Sequence, residues 1–161
     1  METTVTPVPV RRGPIRRHDA RVRRFSRDFT LLERLDGLAV DDTAASVLIE
    51  DVCWASGVEA PVLKFHARRS MYTGATERPR AAWVALHGER EVLGHERSTG
   101  RSVPLFGAIR LGRISTLMTV AHEVGHHLVF ALDPPKTPAH GKVWIAHFDD
   151  VSATIAAAIS P

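Results

Sequence analysis

The stretch Thr119-Val120-Ala121-His122-Glu123-Val124-Gly125-His126-His127-Leu128 constrains this chain more than any other. It holds His-Glu-x-x-His inside an apolar run that favours a helix. Residues four apart on an α-helix share a face, so His122 and His126 are expected to point the same way. Two imidazoles at that spacing can close on one Zn²⁺ at about 2.0–2.1 Å per bond. Glu123 follows His122 on the helical wheel, beside such a metal but angled off it. A general base that takes a proton from metal-activated water must stand there. Gly125 leaves room for close packing, at a helix cost of ~1 kcal/mol relative to Ala. The plainer alternative is a buried helix whose histidines only hydrogen-bond.

A catalytic zinc keeps three protein ligands and one open position. No Glu occurs after Glu123, which removes a downstream Glu as third ligand. The longer pattern H-E-x-x-H-x-x-G-x-x-H also fails, because Val129 and Leu132 stand at its Gly and His places. His127, Asp133, His140, His147, Asp149 and Asp150 remain. His127 is about 100° around the helix from His126. Asp133 sits too near the end of the same helix to return easily. His140 follows a proline-marked turn and is expected on the first turn of the next helix, opposite the pair. Gly141 beside it allows close backbone approach. His147 is the reserve ligand, or a residue facing the substrate.

His-Glu-x-x-His, a short linker and His140-Gly141-x-x-Trp144 together resemble the SprT-like zinc metallopeptidases. The strand Ala108-Ile109-Arg110-Leu111 resembles their edge strand. The arrangement is similar to small actinobacterial and phage-encoded metallohydrolases of this type. The resemblance spans about residues 42–155 and is specific over 105–152. It implies His122, His126 and His140 as zinc ligands and Glu123 as base. It also implies a minimal zincin-like fold with a small three- to four-stranded sheet, the motif helix and a following helix. The chain departs from longer members by lacking a Cys-rich zinc module. The motif stretch also looks like the ImmA/IrrE-type repressor-cleaving peptidases. These use an acidic third ligand, for which Asp149 or Asp150 could serve, but that reading leaves His-Gly-x-x-Trp unexplained.

Composition sets the frame for this chemistry. With 161 residues, 44% of them apolar, the chain can build one core with an appendage. No apolar run approaches the roughly 20 residues that span a bilayer. Met1 to Arg27 holds no apolar signal core, so a cytoplasmic protein is expected. Cys53 is the only cysteine and reads as a small buried residue. Residues 1–27 carry eight Arg against Glu2 and Asp19, a net of +6, which leaves −3 for the rest of a chain whose total is +3. Such a basic arm suits a polyanion, so nucleic acid is an expected partner of the Arg-rich residues 11–27. A solvated charged face is the alternative.

In chain order, residues 1–14 are expected to be disordered. An amphipathic helix runs from about His18, with Val22, Phe25, Phe29 and Leu32 on one face, to Gly37. Asp41 or Asp42 caps a second helix that Gly57 stops. Val62–His66, Ala82–Leu86 and Leu105–Leu111 read as strands, with a loop over 71–80 and a short strand at Val92-Leu93. Ser115 or Thr116 caps the motif helix, which runs to about Leu132 before Pro134-Pro135. Thr137 caps the last helix, with Pro138 in its first turn. Trp54, Trp83 and Trp144 read as core. The expected fold class is therefore α+β, with residues 1–37 as a basic arm and 38–161 as a zincin-like domain. The expected activity is peptide hydrolysis, with strand 105–111 edging the cleft and Tyr72, His147 or one of several Arg as the candidates for assisting in the transition state. The competing reading is a non-catalytic module stapled by zinc, binding nucleic acid through its arm.

Overall fold

The computed structural model describes residues 4–11, 19–66 and 74–159. Arg12, Arg16, Arg17 and His18 of the basic arm, and Tyr72, lie outside them. The described residues form an α+β fold. In order it runs β1 (Val8–Pro9), α1 (Asp19–Phe25), α2 (Phe29–Asp36), β2 (Leu38–Asp41), α3 (Asp42–Ala55) and β3 (Val62–His66). It continues with β4 (Gly74–Glu77), α4 (Arg80–His87), α5 (Glu89–Thr99), β5 (Ala108–Gly112), β6 (Ile114–Thr116), α6 (Leu117–Leu132) and α7 (Lys142–Ala158). The strands form two small sheets, β1-β2-β6 and β3-β5-β4.

The N-terminal helical pattern resolves into two helices with a break at Ser26-Arg27-Asp28. Asp28 caps the second by accepting from the Leu31 N–H at 2.9 Å. The break is tied down by Asp149 on α7, whose two carboxylate oxygens accept from Ser26 Oγ (2.6 Å) and the Arg27 N–H (2.9 Å). Val22, Leu32 and Leu35 point into the core. Residues 4–11 are not the unstructured start expected of them. Val5 is buried against Ile159, and β1 pairs antiparallel with β2.

α3 begins as its sequence dictates, with Asp41 accepting from the Ala44 N–H at 2.8 Å. Its stripe of Ala45, Leu48, Ile49, Val52 and Cys53 is buried. Trp54, expected in the core, is instead 88% exposed, because it lies off that stripe.

Three strand assignments are corrected. Ala82–Leu86 lies within α4, where alanines and the Pro79 start outweigh a run too short to show a period. Val92-Leu93 lies within α5, framed by Gly88 and Gly100, both at positive φ. The stretch read as a loop contains β4, since Gly74–Glu77 pairs antiparallel with β5. The strand expected over 105–111 begins at Ala108 and sits centrally, parallel to β3 on one side (Leu63 opposite Ile109) and beside β4 on the other. The two edges of this sheet are therefore β3 and β4.

The core is completed by α6 and α7. Thr116 caps α6, accepting from the Thr119 N–H at 3.1 Å. Gly125 allows the two helices to close. A Cβ there would lie 3.2 Å from Trp144 Nε1 and 3.5 Å from Phe148 Cα. No helix among the described residues is long and apolar enough to cross a membrane.

Candidate metal centre

His122 and His126 project from the same face of α6, as their spacing requires. His140 reaches them from the connection between α6 and α7, not from the first turn of the helix. It lies in a turn closed by the Gly141 N–H on the Pro138 carbonyl (3.3 Å). Its φ of 56° is in the left-handed region, uncommon for a residue with a side chain though better tolerated by His than by bulky residues. Holding a residue there costs about 1–3 kcal/mol and persists where the surroundings enforce it.

The three Nε2 atoms form a near-equilateral triangle. The separations are 3.2 Å for His122 and His126, 3.0 Å for His126 and His140, and 3.2 Å for His122 and His140. Three imidazoles on one tetrahedral ion at ~2.05 Å would have nitrogens about 3.3 Å apart. The donor set thus fits a single metal ion, and it is the group of potential ligands found among the described residues. Trp144, fully buried one turn after His140, packs against all three rings, with centroid distances of 4.9, 5.2 and 4.7 Å. Phe148 stacks beneath Trp144 at 4.8 Å. This aromatic platform fixes where the imidazoles can sit.

Glu123 is almost fully buried beside the triad, with Oε1 4.0 Å from His122 Nε2. Thr76 on β4 lies at 2.7 Å from its Oε2 and 3.0 Å from its backbone carbonyl, so the single hydroxyl proton can serve either oxygen. Gly74 faces the same carboxylate. A Cβ at that position would fall 2.5 Å from Glu123 Cγ. The edge strand therefore packs directly onto the acid.

Compared with known protein families, curated proteins and solved structures, the chain matches none.

The remaining candidates from sequence are engaged elsewhere. His147 Nε2 lies 2.7 Å from Asp133 Oδ2, linking α7 to the end of α6. Asp149 holds the break between α1 and α2, and Asp150 pairs with Arg27. His127 Nε2 donates to the Glu59 carbonyl at 2.9 Å on the far side of α6. Burial holds the His127 pKa below its ordinary value, opposed in smaller measure by that carbonyl. His87 and His95 flank Trp83, away from the triad. Thr76 and Gly74 are the site residues that sequence reasoning passed over. Gly-Ala-Thr-Glu has little strand character alone and becomes a strand by pairing with β5.

Proposed function

We propose that this chain is a zinc-dependent metallopeptidase on a minimal zincin-like fold, related in plan to the SprT-like enzymes. The observation that carries the reading is the convergence of His122, His126 and His140 within 3.2 Å of one another, beside the buried Glu123 carboxylate. His122, His126 and His140 would hold the ion. Zinc, when bound, supplies Lewis-acid chemistry that acidifies water and polarises a carbonyl. Glu123 takes the proton of the attacking water and delivers it to the leaving amine. Thr76 and Gly74 keep its carboxylate in one orientation for both transfers. An extended peptide can pair with the side of β4 that faces away from β5, since among the described residues no further strand pairs there. This role passes to β4 from the strand at 105–111, which has neighbours on both sides.

Two observations favour this over the competing readings. A structural zinc needs a fourth protein ligand, and His147 is committed to Asp133. An acidic third ligand from Asp149 or Asp150 would have to abandon Ser26 and Arg27. The test is Glu123→Gln in the purified chain, assayed on a mixed library of fluorescence-quenched peptides. Zinc content is expected to stay at one per chain while turnover falls by about 10²–10⁴-fold, the usual contribution of a general base. Undiminished turnover would remove Glu123 from the mechanism.

A further inference from the structure

We propose that the groove beside His140 selects acidic peptide segments, with Arg21, Arg24 and Lys142 as its specificity-determining residues. The proposal rests on the metallopeptidase reading and names the substrate class of that same site.

The groove is a cavity of about 520 Å³ whose lining includes Arg21, Arg24 and Phe25 from α1 and His140, Lys142 and Ile145 from the start of α7. One of its walls is thus a member of the triad. Ile145 is buried and Phe25 is 42% exposed, giving an apolar floor and side. The Arg24 guanidinium carbon lies 5.2 Å from the Phe25 ring centroid and Lys142 Nζ lies 5.5 Å from it, so two cations share one aromatic ring.

No carboxylate lines the groove among the described residues. None of Arg21, Arg24 and Lys142 forms an ion pair with a described acidic side chain, whereas nearby Arg27 is neutralised by Asp149 and Asp150. Three like charges around one cavity repel each other, and an anionic occupant relieves that repulsion. Their placement is fixed by the fold. Val22 anchors α1 in the core, and Asp149 pins the break that follows. Arg21 and Arg24 are therefore held in the lining of the same groove as His140.

The shape favours a peptide over a nucleic acid. A phosphate backbone is tracked by cations spread along a stripe, whereas these cations ring one concave, partly apolar space. A Glu or Asp side chain there places its carboxylate among the cations while its neighbours cover Phe25. Its backbone then runs towards His140.

The experiment uses the full chain, zinc-loaded and carrying Glu123→Gln, titrated into a fluorescein-labelled Glu-rich peptide, its Gln counterpart and a single-stranded oligonucleotide. Fluorescence anisotropy is the readout. The Glu peptide is expected to bind about tenfold more tightly than the Gln peptide, as two or three partly exposed ion pairs allow. The preference should shrink as salt is raised. Combined Arg24→Gln and Lys142→Gln should erase it, while Arg24→Lys retains it. Equal affinity for both peptides, or a preference that survives the double substitution, overturns the proposal. So does an oligonucleotide that occupies the groove more tightly than the Glu peptide. Turnover of the mixed library by the wild-type chain separates the two readings. Turnover with no acidic preference overturns the groove and leaves the peptidase standing. Acidic binding without turnover of any peptide supports the groove's chemistry and removes the peptidase.

Discussion

Gly74 shows how one missing side chain can set the position of a neighbouring carboxylate. Its hydrogen faces Glu123, and a Cβ would lie 2.5 Å from Cγ and 2.7 Å from Oε1. Because Cγ is not the flexible tip of that side chain, the whole carboxylate must move. We expect Gly74→Ala to keep zinc at one per chain yet lower peptide turnover by about 10²-fold, the scale of an ångström-sized misplacement. Unchanged turnover would show that the carboxylate has slack. His122, Glu123 and His126 could be read from sequence because helical spacing alone fixes their relative directions. His140 was singled out from the few remaining candidates, and it lies beside the pair. Gly74 and Thr76 could not, because their placement depends on the pairing of β4 with β5, and Thr76 is forty-seven residues from Glu123 in sequence. Cys53 fits its plain reading, since burial, with Glu50 adding, pushes its thiol up to about 11.

Among the elements, α6 carries the most weight and has the plainest start signal. Thr116 Oγ1 accepts from the Thr119 N–H, satisfying one of the orphan donors of the first turn. Thr116→Ala should lower stability by about 1 kcal/mol in urea denaturation, with the metal triad intact. A change indistinguishable from zero would mean that packing alone sets the helix start. The long, periodic helices α3 and α6 were legible because caps and apolar stripes agreed. α4 and α5 were not. Ala82 is the sole buried residue of α4 and Val92 of α5, so neither buries a stripe from which a period could be read. The register of β4 against β5 was illegible for a related reason. Edge strands borrow their structure from neighbours and need little propensity of their own.

At the scale of the whole molecule, α6 and α7 close on each other through Gly125, Trp144 and Phe148, and the N-terminal segment locks onto α7 through Asp149. The basic segment is thus partly built into the body, a result hidden from composition because Ser26 and Asp149 are far apart in sequence. His127 links this packing to pH. Its Nδ1 is buried without a hydrogen-bond partner, so protonation would place an unsatisfied charge in the core. The folded pKa is held below the ordinary value of 6.5 by burial. The unfolded chain therefore takes up this proton at higher pH than the folded one. The stability due to neutral His127 is fully present above 6.5 and is lost as pH falls through the lower folded value. We expect the urea midpoint of the metal-free chain to fall below about pH 6.5, and His127→Gln to fall less steeply. Parallel curves would assign the effect to other groups. The most direct test of the account is zinc stoichiometry and X-ray absorption of the purified chain beside His140→Ala. Three imidazole nitrogens and one non-protein oxygen ligand at about 2.0 Å, with tight binding lost in the variant, is the predicted result. An ion that stays fully bound without His140, or a shell closed by four protein ligands, would contradict it.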